Sequence, residues 1–275
     1  MTRRIDQTGF GDLKIVQDPE AFCYGVDAVL LADFTAAVLR RTGKCPERLM
    51  DLGTGNGIVP LILAHKTRIP GLHGMEFQEN NVRLAEETAR INGMQDRMKF
   101  WHADVAEVLA AMKPPVCEQE GADPDAQRAR KQTLPEELRQ MKGSFGAVTS
   151  NPPYTRRQGG AVSRGSARAL ARHETTADLS MFLELSSALL KEKGDVFMVH
   201  RPQRLVDLLA LGRAHRLEAK DLQMISGHEG EAPNLLLVHM VKGGGAELHI
   251  LPPLAIREQD GRYTDQMLKV YEREF

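Results

Sequence analysis

The sequence predicts an α/β fold with a doubly wound, mainly parallel sheet of seven strands and an antiparallel edge hairpin. Three observations predict it. Short apolar strand-like runs alternate with longer helix-like runs along most of the chain. A glycine-rich loop, Gly53-Thr54-Gly55-Asn56-Gly57, follows the first strand of the alternation. The last two strand-like runs follow each other without a helix between them. Strands joined through helices need right-handed crossovers and therefore lie parallel, whereas consecutive strands are free to pair antiparallel. The expected architecture is Rossmann-like.

The elements follow in order. Leu49-Met50-Asp51-Leu52 is a short strand that runs into the glycine loop, and the apolar stretch from Ile58 to Thr67 starts a helix. Gly71 to Glu76 reads as a second strand ending in an acid. Asn80 to Asn92 is amphipathic, with Val82, Ala85 and Ala89 on one face and Gly93 as its stop. Met98 to Asp104 is a third strand, again ending in an acid, and Ser144 to Ser150 is a fourth. A helix over Leu179 to Leu190 leads to a fifth strand over Gly194 to His200, and Arg201 to Arg213 is helical. Lys220 to Gly227 and Asn234 to Val241 are the last two strands. Residues 1–45 are expected to form a segment covering the site at the glycine loop, and 46–275 the main domain. In that segment Phe22, Val26, Val29 and Leu30 can pack on the sheet edge, with Asp27 facing the crevice, and their spacing fits an ordinary amphipathic helix nearly as well. Residues 113–142, dense in mixed charge and poor in apolar residues, read as a solvated, mobile insertion.

Composition excludes several classes. Of 275 residues, 42% are hydrophobic and 27% charged, which suits a globular domain with a real core. No apolar run approaches the ~20 residues that cross a bilayer. The first residues, Met1-Thr2-Arg3-Arg4-Ile5-Asp6, lack the apolar segment of a signal peptide. Cys23, Cys45 and Cys117 are widely spaced and form no metal-ligand pattern, so a reduced, cytoplasmic setting and no metal are expected. A net charge of −1 argues against nucleic-acid binding over the whole surface and leaves local basic patches open.

The glycine loop lets the backbone approach a ligand closely, and the helix after it offers free amides. Gly53-x-Gly55-x-Gly57 brings its third glycine one residue earlier than the dinucleotide fingerprint, and Asp51 sits in the strand just before it. Carboxylates suit a ligand that carries an ammonium and a cationic sulfur and no phosphate, which is S-adenosylmethionine. Glu76, at the end of the second strand, is placed to accept ribose hydroxyls. Asp104, at the end of the third, reads equally as an adenine contact and as a turn cap.

About a hundred residues after the glycine loop comes Asn151-Pro152-Pro153-Tyr154, directly behind the fourth strand. Two prolines make a rigid turn without amide protons. Their carbonyls and the Asn151 side chain are then free to accept hydrogen bonds from an –NH2 group, and Tyr154 can stack on a planar base or amide. Catalysis by such a site is in-line placement of nitrogen, methyl carbon and sulfur, with dipoles aimed at positive charge developing on nitrogen. It needs no strong base, so His173 and His200 read as ordinary histidines. The chain that leaves this turn carries Arg156, Arg157, Arg164, Arg168 and Arg172 before its first acid, Glu174. Most charge runs are solvated faces, but this one starts at the catalytic turn, where phosphates flanking a flipped base would lie.

The chain resembles the class I S-adenosylmethionine methyltransferases of the Asn-Pro-Pro-Tyr type. More narrowly, it is similar to the bacterial enzymes that methylate N6 of adenine 37 in a valine tRNA. Three stretches carry this likeness beyond the two motifs. The first runs from Ile15-Val16-Gln17-Asp18 to Tyr24-Gly25-Val26-Asp27-Ala28-Val29-Leu30-Leu31-Ala32. The second is Ala171-Arg172-His173-Glu174 together with His200-Arg201-Pro202. The third is Ile250-Leu251-Pro252-Pro253-Leu254 followed by Tyr263-Thr264. The resemblance covers roughly residues 10–112 and 143–275, and family members usually lack the segment at 113–142. It implies the class I methyltransferase fold and S-adenosylmethionine as cofactor. It also implies a cofactor site of Asp27, Asp51, Gly53, Gly55, Gly57, Glu76, Asp104 and Asn151, a base site of Asn151 to Tyr154, and tRNA as substrate. A glutamine side-chain amide presents the same planar –NH2, so protein glutamine-N5 methylation is the alternative, with guanine-N2 methylation of ribosomal RNA a third. The arginine-rich exit favours RNA.

Overall fold

A computed structural model describes residues 3–20, 23–112, 136–152 and 179–273. The strands fall where apolar runs end at turn residues. They are β1 (Arg4–Gln7), β2 (Lys14–Gln17), β3 (Arg48–Leu52), β4 (Gly71–Glu76), β5 (Met98–His102) and β6 (Phe145–Ser150). β7 (Leu190–His200), β8 (Leu217–His228), β9 (Leu235–Lys242), β10 (His249–Ile250) and β11 (Leu254–Arg257) complete the set. The described helices are α1 (Val26–Thr42), α2 (Ile58–Lys66), α3 (Glu79–Ile91), α4 (Val105–Met112), α5 (Glu136–Arg139), α6 (Leu179–Leu189), α7 (Leu205–Ala214) and α8 (Asp265–Val270). A short 3-10 turn, Pro202–Arg204, precedes α7.

The main sheet has nine strands in the order β10-β8-β9-β7-β6-β3-β4-β5, with β11 also on β8. Seven of them, β3 to β9, are the strands the sequence predicts, and β9 alone runs against the rest. The hairpin of β8 and β9 forms as expected, but β8 is not the free edge. β10 and β11 lie parallel along its outer side. Pro252 and Pro253 fall between these two strands, since prolines supply no amide to a ladder. The pairing is bridged there by Leu251 N donating to Leu222 O at 2.8 Å and by Gln223 Nε2 donating to Pro252 O at 2.9 Å.

Successive strand residues point to opposite faces, and helices cover both. Leu49, Leu72, Ala147, Phe197 and Leu237 pack under α1, α2 and α3. Met50, Met75, Val148, Val196 and Met198 pack under α4, α5, α6 and α7. Of the two readings of the N-terminal segment, the helix is the one that forms, and the sheet-edge seat is not. α1 lies on the face of the sheet over β7 and β9, beside α2, rather than at the sheet edge. Ten of its residues, including Val29, Leu30, Leu31 and Phe34, are buried, an apolar surface too wide for an edge position. Phe22 lies outside the described residues. β1 and β2 form a separate hairpin on α3, held by Val16 N donating to Thr88 Oγ1 and Lys14 N to Asn92 Oδ1.

Most of the charged segment, 113–135, lies outside the described residues. Its end does not match a solvated loop, because Leu138 and Met141 are buried against the core that holds α4. A buried ionic group joins α1 to the far strands. His239 lies between two carboxylates, with Nδ1 2.8 Å from Asp221 and Nε2 2.9 Å from Asp195. Arg41 and Lys44, at and beyond the end of α1, pair with Asp221 and Asp195 at 2.6 and 2.7 Å. Burial raises the Asp221 carboxyl, but the bonds from His239 and Arg41 outweigh it and hold the group below its usual range.

Candidate active site

The chain order reverses at β3. β4 pairs on one side of it and β6 on the other, which makes a topological switch point, and such sheets bind ligands at the carboxyl ends of the strands there. Leu52 is in register with Ser150. Gly53 and Asn151 therefore leave neighbouring strand ends side by side, and the two sequence motifs, about a hundred residues apart, meet.

The glycine loop hangs on the end of β4. Gly53 N and Thr54 N both donate to Met75 O, at 2.9 and 3.0 Å. Gly55 and Gly57 have φ of 57° and 82°, in the left-handed region that side chains disfavour. A Cβ on Gly57 would also come within 3.1 Å of Ala85 Cβ and Phe100 Cζ. Gly55 is different: nothing among the described residues lies within 4 Å of where its Cβ would be, so its backbone faces open space. Gly57 caps α2, whose first amides point towards that space.

Asp51 is 2% exposed. Thr149 Oγ1 donates to its Oδ1 at 2.7 Å from the adjacent strand. Burial pushes the Asp51 carboxyl up to about 7, against the opposing pull of the Thr149 and Thr54 hydroxyls and with a small push from Glu76. Glu76 is also buried, and burial raises it against its backbone bonds. Its Oε2 accepts from Gly55 N at 3.0 Å and its Oε1 from Gln78 N at 2.8 Å, which fixes the carboxylate beneath the loop and leaves lone pairs on both oxygens. A cationic ligand end fits this pair of shielded carboxylates.

Asp104 lies two residues past β5. Its Oδ1 accepts from Ala106 N at 2.7 Å and its carbonyl from Val108 N, so it caps α4. Asp27 sits in the first turn of α1 with Oδ1 accepting from Ala28 N at 3.0 Å. Asn151 is half-buried and Pro152 buried. Pro153, Tyr154, Arg156, Arg157, Arg164, Arg168 and Arg172 lie outside the described residues.

Sequence reasoning missed three contributors. Thr149 and Ser150 are fully buried and tie β6 to β3 on both faces, since Ser150 Oγ donates to Leu52 O at 2.9 Å. Phe77, directly after Glu76, is 45% exposed and offers a flat apolar surface at the rim. Its signal was available as an aromatic residue following a strand-end acid. His200 closes β7 at zero exposure, and Arg201 N donates to its Nδ1 at 2.8 Å. Burial, with help from Arg204 and Arg201, lowers it to about 4, so it is neutral near pH 7 and is not a base poised for proton transfer. Among the described residues no cluster of histidine, cysteine and acidic residues is arranged to hold a metal ion. No described helix is long and apolar enough to cross a membrane.

No family model matches the chain. Its similarity to individual proteins is extensive. It is 25% identical over 260 residues to the tRNA1(Val) (adenine(37)-N6)-methyltransferase of Tolumonas auensis, covering 94% of this chain and 92% of that protein. A protein of the same name from Porphyromonas gingivalis is 25% identical over 235 residues, 85% of this chain and 76% of that one. Among solved structures, a predicted O-methyltransferase from Agrobacterium tumefaciens superimposes with a TM-score of 0.61 at 20% identity, over 90% of this chain and 95% of that one. The T. thermophilus 16S rRNA N2 G1207 methyltransferase, solved with AdoMet and guanosine, gives 0.51 at 17% identity over 88% of this chain and 50% of that one. The chain has the class I methyltransferase fold.

Proposed function

We propose that the chain is an S-adenosylmethionine-dependent methyltransferase that modifies the N6 amine of an adenine in tRNA, position 37 of a valine tRNA. The observation that carries the reading is the Leu52–Ser150 register, which sets the glycine loop and Asn151 at one crevice. The relatives named for this reaction align along nearly the whole chain, and tRNA chemistry suits a cytoplasmic setting.

Bound S-adenosylmethionine supplies a methyl group on a cationic sulfur, which leaves with the bonding pair. The open backbone at Gly55, the amides following Gly57 and the carboxylates of Asp51 and Glu76 hold the cofactor, with Gly53 shaping the turn. Asp104 and Asp27 are assigned to its adenine and amino-acid sides, and residues 1–45 cover it. Asn56 Nδ2, which reaches Val16 O at 3.4 Å, links the loop to that cover. Asn151 and the carbonyls of the Pro152-Pro153 turn accept hydrogen bonds from the target amine, which keeps the nitrogen lone pair on line with the methyl carbon. The amine sheds its extra proton to solvent after transfer. Tyr154 stacks on the base, and Arg156, Arg157, Arg164, Arg168 and Arg172 take the flanking phosphates.

The test is incubation of the purified chain with labelled S-adenosylmethionine, total bacterial RNA and a cell protein extract, followed by nucleoside analysis. Label is expected as N6-methyladenosine in the tRNA fraction. Label in protein glutamine with none in RNA, or as N2-methylguanosine in ribosomal RNA, rejects the assignment.

A further inference from the structure

β6 ends in two buried hydroxyl residues before Asn151. Thr149 and Asp51 are cross-strand partners, both nearly free of solvent, and their side chains meet at 2.7 Å. The partner strand carries the glycine loop, and Thr149's own strand carries the catalytic asparagine two residues on. A hydroxyl in such a place does more than fill space. It holds one carboxylate oxygen of Asp51 in a fixed direction and favours the charged carboxylate over the neutral acid.

We infer that Thr149 is a positioning residue for cofactor binding: its hydroxyl orients the Asp51 carboxylate towards the cationic end of S-adenosylmethionine and keys that carboxylate to the strand bearing Asn151. This rests on the assignment of Asp51 to the cofactor site. Asp51 is deeply buried and must be ionised to attract a cation; burial raises its carboxyl first, nearby Glu76 adds to that, and the bond from Thr149 works against both, so it lowers the pH above which the site accepts its ligand well. The same bond joins the two halves of the site through one contact, because the residue that holds the acid also sits in the strand that delivers the acceptor turn.

The experiment is titration calorimetry of the full chain with S-adenosylmethionine from about pH 5.5 to 8.5, on wild type, T149V, T149S and D51N. Wild-type affinity is expected to rise with pH and level off once Asp51 is ionised. T149V, which keeps shape and removes the donor, is expected to bind about tenfold more weakly at pH 7, with its midpoint about one unit higher. T149S restores both. A merely structural threonine would lower the melting temperature without moving that midpoint. T149A removes the same donor and replaces T149V if the latter does not fold. Wild-type affinity and midpoint in the donor-free variant, with D51N impaired, overturn the role of Thr149 and leave Asp51 in the site. Wild-type binding and pH profile in D51N overturn both assignments.

Discussion

Replacing Asp51 with asparagine should make the unliganded chain more stable at alkaline pH. The carboxyl has an ordinary value of 3.8 and is pushed to about 7 by burial in the folded state. A difference of about three pH units corresponds to about 4 kcal/mol at 1.36 kcal/mol per unit. The sign follows from proton linkage. A group with a raised folded value binds its proton more tightly when folded, so its favourable contribution is complete below about pH 4. That contribution is lost as pH rises through about 7, and above that the ionised, buried carboxylate costs its full share. Asparagine keeps the shape and cannot ionise. D51N should therefore melt within a degree or two of wild type near pH 4 and well above it near pH 8.5, with the gap opening between about pH 4 and 7. With about 2–4 °C per kcal/mol in a chain of this size, the gap approaches about 10 °C. Thermal melts of both proteins without cofactor, at half-unit steps of pH, give the difference directly and cancel every other titrating group. Parallel curves across the range would refute the claim that Asp51 is buried and shielded as described.

On the proposed role of Asn151 as amine acceptor, N151A should cut the rate of methyl transfer by about 10²–10³ even at saturating cofactor, a larger effect than its loss of cofactor affinity; single-turnover kinetics beside calorimetry separate the two. G57A should destabilise the chain by about 1–3 kcal/mol, since alanine meets both a left-handed backbone and contacts at 3.1 Å, and urea unfolding measures it. H239L should cost about 1–3 kcal/mol near pH 7, because each buried carboxylate loses the hydrogen bond of His239 while keeping Arg41 or Lys44. In the wild type, Asp221 adds stability above its ordinary carboxyl range that disappears as pH falls through its lowered folded value, so the H239L and wild-type melts should converge in acid. Affinity for tRNA should fall linearly on a log–log plot against salt, and a flat plot would remove phosphate contacts from the proposal.

Much of this was legible in the sequence, for reasons that can be named. The central strands are mostly apolar runs because helices bury both faces, so Leu49 to Leu52 and Gly194 to His200 stand out despite the acids Asp51 and Asp195. The glycine loop was readable because positive φ and close packing leave few alternatives at Gly57. The likeness to tRNA adenine-N6 methyltransferases, drawn from short motifs, is matched by relatives aligned over most of the chain. The remainder depends on pairing, which a linear pattern does not carry. β10 and β11 are two and four residues long and interrupted by prolines, too short for any period. The N-terminal hairpin buries Ile15 and Val16 only because α3 is there to receive them. Thr149 gains meaning from standing opposite Asp51, a matter of register. Asp104 was balanced between cap and ligand contact, and its bond to Ala106 supplies the cap without emptying the second oxygen of its lone pairs.

The two short strands beside β8 have a consequence for how this chain behaves in company. β8 is twelve residues long and would otherwise present an unbroken row of amides and carbonyls to any neighbouring chain. His249–Ile250 and Leu254–Arg257 occupy that row, and the proline pair between them blunts what they leave exposed. A chain cut before His249 would keep the glycine loop and the Asn-Pro-Pro-Tyr motif in its sequence yet carry an open template for strand addition. Its first failure should then be self-association, visible as light scattering at concentrations where the whole chain stays clear.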